Sequence, residues 1–153
     1  MAMVETLAVL QVALIKITKE TGAFVVLINW WDLATEVISE VKESLFCHAE
    51  EVETSVMMEL GFPVNMSLAK KFIPKPRFPE LAGYDICPSE QRIIISDFWD
   101  FGNPKMADGS IGDPTKASKE KGEKILAAAV DKFAEFLRDL AKEPLVVVPH
   151  SAN

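Results

Sequence analysis

The sequence is short of several things, and each scarcity removes a class of protein. It holds only two cysteines in 153 residues, Cys47 and Cys87, too few for a disulfide scaffold, so reduced thiols and a cytoplasmic setting are expected. Basic residues are outnumbered: 16 Lys and Arg face 23 Asp and Glu, a formal net charge of −7. A surface that tracks phosphates needs the opposite excess, which excludes nucleic acid as a partner. No apolar run approaches the roughly 20 residues that span a bilayer; the longest, Ala23–Ile28, stops at Asn29. No membrane partner is expected. The apolar start, Met1–Ile15, carries Glu5 and has neither a basic opening nor a small-residue cleavage site, so it does not read as a signal peptide. Internal repeats, linkers and low-complexity stretches are missing too. What remains, 49% hydrophobic and 25% charged, is the composition of one globular domain over residues 1–153.

Periodicity supplies the elements. Leu7, Leu10, Leu14 and Ile17 recur at helical spacing, widened by Val9, Val12 and Ile15. The spacing predicts a helix from Val4 to about Thr21, buried on most sides and ended by Gly22. Ala23–Ile28 is a continuous apolar run rich in β-branched residues, as in a strand covered on both faces of a parallel sheet. A further helix is expected from Asp32 to about Leu45, with Leu33, Val37, Ile38 and Val41 inward. Another runs from Glu51 to Leu60 and stops at Gly61. Residues 63–90 hold five of the nine prolines and read as an irregular excursion. Arg92–Ser96 reads as a short strand and residues 97–112 as loop. Asp113 and Pro114 are expected to cap and open the last helix. Its inward face would be Ile125, Leu126, Ala129, Val130, Phe133, Leu137 and Leu140, with Pro144 beyond its end. Val146–Val148 reads as an edge strand or a tail. The helix, Gly turn, buried strand and helix in succession predict an α/β fold: three layers, a mainly parallel sheet, helices on both faces, and its first strands missing upstream of Met1.

Chemistry concentrates in His48-Ala49-Glu50-Glu51-Val52-Glu53-Thr54-Ser55, one imidazole and three carboxylates within six residues, beside the apolar Val56-Met57-Met58. Charges against apolar surface are costly unless paired or bound to a metal. His48 can shuttle a proton or bind a divalent cation, and the carboxylates can complete a metal shell or orient the imidazole. The plainer reading is a helix N-terminus whose acids favour the positive end of the dipole. Trp30 and Trp31 follow the expected strand directly, where an open parallel sheet places its ligand crevice, and could wall a small planar substrate. They could equally be core or interface aromatics. Asp97, Asp100 and Asp108 read as solvated loop acids, and His150 as a surface residue near the terminus.

Several segments, taken in order, resemble the creatininase family of metal-dependent amidohydrolases. That family carries a segment like His-Ala-Gly-Glu-x-Glu-Thr-Ser, then Gly-x-x-Gly-Asp-Pro, then Ala-x-x-Glu-Lys-Gly. Here stand His48-Ala49 with Glu51-Val52-Glu53-Thr54-Ser55, Gly109-Ser110-Ile111-Gly112-Asp113-Pro114, and Ala117-Ser118-Lys119-Glu120-Lys121-Gly122. Val4-Glu5-Thr6-Leu7 resembles the helix start after the family's Asn-Gly-His-Gly-Gly-Asn, and Trp31 falls where members often have an aromatic. Glu50 stands in place of the motif's Gly, and Phe46 and Cys47 where relatives tend to have polar or Trp residues.

The resemblance implies an amidohydrolase cleaving a C–N bond of a small molecule, a cyclic amide like creatinine or a formamide on a pyrimidine nucleotide. It implies His48 and Glu53 as catalytic residues, Glu51 and Glu53 as contributors to a Zn, Mn or Fe site, and Trp30 and Trp31 against the substrate. The family's main metal segments, a Glu-x-His with a later Asp and the His-Gly-Gly-Asn turn, would precede Met1. Metal binding by this chain alone is therefore expected to be weak or absent. Two classes of function follow: a hydrolase, or a non-catalytic C-terminal half that acts in assembly. A metal-independent binding module using the Trp pair is a third. A homo-oligomer, or a partner supplying the front half, is expected.

Overall fold

The computed structural model describes residues 2–44, 47–73 and 109–144, with side chains from Leu7 onward. The chain divides into two compact units, residues 1–33 with 129–153, and residues 34–128.

In the first unit, α1 spans Ala2–Thr21. Gly22 closes it in the left-handed conformation (φ 70°), with its N–H on Thr18 O at 3.0 Å. The expected helix is there, but not its burial: Val9 and Val12 are each 68% exposed, and Ile15 and Ile17 are exposed as well. An apolar stripe reports a surface that gains from burial, not one that the chain itself covers. Ala23–Ile28 departs from expectation in the same way. It is neither helical nor paired in a ladder, and Phe24, Val26 and Leu27 are exposed. A parallel strand is held by neighbours on its edges, and the described residues provide none. The three-layer sheet is thus not seen among the described residues, which form helices, 3-10 turns and two isolated bridges. The expected strands 92–96 and 146–148, the acids at 97, 100 and 108, and His150 lie outside the described residues.

A 3-10 turn (Asp32–Ala34) ends at the first residue of the second unit and leads into α2 (Thr35–Val41), shorter than the expected helix to Leu45. Ala34 and Ile38 are buried. Helix α3 (Glu51–Glu59) ends before Gly61, whose φ of 77° turns the chain out. Two antiparallel bridges, His48 with Ile111 and Phe72 with Gly112, tie three distant segments side by side.

Helix α4 is Lys119–Leu140, five residues later than Asp113-Pro114 suggested. Asp113 does cap, but it caps a separate 3-10 turn, Pro114–Lys116, accepting from Thr115 N at 3.2 Å. Ala117 is then extended (φ −65°, ψ 143°), which interrupts any continuous helix, and Ser118 caps α4 by accepting from Lys121 N at 3.2 Å. Ile125 and Ala129 are buried as expected, but Val130, Phe133 and Leu137 are exposed. Among the described residues of the second unit, Val52, Val56, Ile111 and Ile125 are buried together with Ala34 and Ile38. Cys47 is disulfide-bonded, which corrects the expectation of reduced cysteines. One bridge is no scaffold, but it means the thiol is not free. No helix among the described residues is long and apolar enough to cross a membrane.

Candidate active site

The site is built where the His48 bridge meets the start of α3. His48 N donates to Ile111 O at 3.1 Å and Ile111 N returns to His48 O at 2.7 Å, so the backbone under the imidazole is clamped from both sides. The Gly109–Gly112 stretch makes this possible. Both glycines have positive φ, 75° and 131°, a region that side chains disfavour. Between them Ile111 reaches His48, and Ser110 Oγ donates to Ala49 O at 3.2 Å.

Ala49 is the strained residue. Its φ of 47° is left-handed for a non-glycine, a conformation costing about 1–2 kcal/mol. It persists because both ends of its peptide are held: its N–H donates to Glu53 Oε2 at 2.5 Å, and its carbonyl accepts from Thr54 Oγ1 at 3.5 Å as well as from Ser110. Backbone strain of this kind clusters where geometry matters for function.

The turn at Ala49 sets His48 against Glu53. Nδ1 of His48 lies 3.7 Å from Oε2 of Glu53, with side chains 35% and 17% exposed. The distance is slightly beyond that of a hydrogen bond. Glu53 is held by Ala49 N and reaches the imidazole with the same oxygen. His48 remains partly open.

The neighbouring acids have different tasks. Glu50 is fully buried and is the N-cap of α3, its Oε1 accepting from Val52 N at 3.0 Å and Glu53 N at 3.2 Å. Its Oε2 is buried without a hydrogen-bond partner among the described residues. Burial pushes its carboxyl up to about 7, against the two N–H donors that lower it and with Glu53 and Glu51 adding repulsion. Glu51, equally buried, is saturated instead. Its oxygens accept from Glu43 N at 3.0 Å, Ser44 Oγ at 2.6 Å and Lys121 Nζ at 2.5 Å. Burial alone would raise its carboxyl, but Lys121, Ser44 and the Glu43 amide outweigh it and hold it below the usual range. Lys121 also reaches Glu43 Oε1 at 2.6 Å and Lys116 O at 3.1 Å. Desolvation would lower its ammonium, but Glu43 and Glu51 win and raise it. Glu51 therefore works as a tie between α3, α4 and the 43–44 segment.

Helices α3 and α4 meet at one more point. Ser55 Oγ donates to Glu51 O at 2.5 Å and accepts from Ser118 N at 3.0 Å. A Cβ on Gly122 would overlap Ser55 O, so only glycine permits this approach.

Residues 4–137 match the family described as creatininase, creatinine amidohydrolase. The chain belongs to this family. No characterised protein and no solved structure aligned with it. Membership implies an amidohydrolase, an α/β fold class and, in general, dependence on a metal. The creatininase motifs fall on the contacts just described. The two glycines of Gly-x-x-Gly-Asp-Pro are the positive-φ turns, and its Asp caps the 3-10 turn. The Lys-Gly of Glu-Lys-Gly are Lys121, the tie to Glu51, and Gly122, the close approach. The structure brings together His48 and Glu53. It turns Glu51 to Lys121, and it sets Trp30 and Trp31 edge to face at 5.8 Å in the other unit. The Trp pair sits in a tight turn closed by Asp32 N on Asn29 O at 3.1 Å. Sequence reasoning missed the strained Ala49, the buried Glu50 cap and the Glu43–Lys121–Glu51 network. Lys121, lying inside a family motif, was the signal for the last.

These donors are too few for a metal. With Glu51 saturated, His48 and Glu53 remain, and no group of three His, Cys, Asp or Glu that could hold a metal occurs among the described residues. A catalytic site normally uses three protein ligands. The described donors by themselves do not fit a divalent metal.

Proposed function

We propose that the chain carries the proton-transfer half of a creatininase-type amidohydrolase acting on a C–N bond of a small cyclic amide or formamide, creatinine-like or formylaminopyrimidine-like. The observation that carries this is the His48–Glu53 pair, 3.7 Å apart and built on a clamped, strained turn. Hydrolysis adds water across the bond: the carbonyl carbon gains a hydroxyl and the departing nitrogen gains a proton. His48 delivers that proton. Glu53, 3.7 Å from Nδ1, orients the ring. Trp30 and Trp31 are proposed as substrate walls because they follow the apolar run Ala23–Ile28 and Trp31 stands where family members often have an aromatic.

In the complete assembly, His48→Ala should lower turnover by about 10²–10⁴-fold, the usual worth of a general acid or base. Metal content, by elemental analysis of the same preparation, should be unchanged. Full activity in the variant would take His48 out of the mechanism. Loss of metal together with activity would make it a ligand instead.

A second reading keeps the fold and drops the chemistry: a non-catalytic subunit that assembles through the apolar surface of α1, where Val9 and Val12 stand exposed. It predicts no turnover from the purified chain under any metal supplement.

A further inference from the structure

One cleft lies on the same turn as the dyad. It has a volume of about 180 Å³, and Ala49 and Thr54, the immediate chain neighbours of His48 and Glu53, form part of its wall. That volume is below the roughly 300–1,000 Å³ of drug-sized pockets, so it suits a fragment and not a large ligand. Val64, Met66 and Pro114 give it an apolar lining.

Its polar groups are few and differ in kind. Lys70 lines the cleft and forms no ion pair among the described residues, whereas its neighbour Lys71 lies 3.9 Å from Asp113 Oδ2. Asn65 spends its carbonyl oxygen on Ser67 N at 3.1 Å and Ser67 Oγ at 2.7 Å, which leaves its amide N–H groups as donors. Thr54 turns its hydroxyl proton to Ala49 O at 3.5 Å, which leaves its oxygen as an acceptor. The cleft thus offers an ammonium and an amide donor at 65–70, and an acceptor on the α3 side. In a chain of net charge −7 small anions are repelled in general, so a lysine in a concave site is a selective feature.

We propose that this cleft holds the carboxylate-bearing end of the amide substrate: Lys70 and Asn65 take the carboxylate, and Thr54 accepts from the amide N–H. The proposal rests on the amidohydrolase reading and narrows its formamide branch to N-formyl derivatives of amino acids or similar small acids.

The probes are N-formylglycine, which has both groups, and N-formylglycinamide, which lacks the charge. In an NMR titration of the full chain, N-formylglycine should shift the amide signals of Ala49, Thr54 and residues 65–70. It should bind about tenfold or more tighter than the neutral amide, as expected for one charge-assisted hydrogen bond. Lys70→Gln should abolish that preference and Lys70→Arg should keep it; Lys70 is exposed, so both variants fold. Equal binding of the two probes, or a preference that survives Lys70→Gln, would overturn the cleft proposal and leave the role of His48 standing. Selective binding without release of formate and glycine would support the cleft and count against the hydrolase.

Discussion

At the scale of single residues, Glu50 departs most from the family motif, which has glycine there. A glycine can start a helix through backbone freedom, whereas here a buried carboxylate does so by capping two N–H groups. The cost is electrostatic and depends on pH. The carboxyl is pushed up to about 7 from an ordinary 4.5, so the folded chain holds that proton more tightly than the unfolded one. Below pH 4.5 both states are protonated and the penalty is absent. Between 4.5 and 7 the unfolded chain ionises first and stability falls with rising pH. Above 7 the loss is complete. It is on the order of 3 kcal/mol, because each tenfold change in proton affinity is worth about 1.4 kcal/mol. Glu50→Gln keeps the capping oxygen and never ionises. In urea unfolding of metal-free protein, the variant should match the parent near pH 4 and exceed it by about 2–3 kcal/mol at pH 8. A constant difference at both pH values would show that Glu50 does not titrate in this range. The sequence suggested an acid at the head of a helix but not its burial, because burial is set by packing that a local pattern does not report.

At the scale of elements, the contact between α3 and α4 rests on one missing side chain. A methyl group at Gly122 would overlap Ser55 O and crowd Glu59 Cβ. Alanine normally favours a helix by about 1 kcal/mol over glycine, yet overpacking against backbone costs about 1–3 kcal/mol and the carbonyl cannot rotate away. Gly122→Ala should therefore lower stability by up to about 2 kcal/mol net in thermal or urea unfolding, while alanine at the adjacent, exposed position 123 should leave it nearly unchanged. A stabilised Gly122→Ala protein would mean that the helices do not approach this closely. Helix ends marked by glycine were legible: Gly22 and Gly61 stop α1 and α3 through their positive φ. The start of α4 was not. The Asp113-Pro114 signal is real, but a cap serves a 3-10 turn as readily as an α-helix. Only the extended Ala117 and the Ser118 bond to Lys121 N show where the long helix begins.

At the scale of the molecule, order and type of helices could be read from periodicity, while the sheet could not be checked by it. A strand is a relation between segments, and Ala23–Ile28 has the composition for one without a neighbour among the described residues. The same excess of apolar residues over available cover marks α1, whose Val9, Val12, Ile15 and Ile17 are 45–68% exposed. Contiguous exposed apolar surface favours association. We expect the purified chain to self-associate with Val4–Thr21 in the contact, a second copy supplying the cover. Light scattering should then give a mass above that of one chain. Replacing Leu10 and Leu14 with Asp places two charges in the contact, each costing several kcal/mol if buried unpaired, and should shift the population to monomer. The spectroscopic helix content should hardly change, since both positions are on one helix that its other residues maintain. A wild-type chain that is monomeric across the concentration range and binds little apolar dye would mean that the chain covers this face itself, and the account of α1 as an interface would be abandoned.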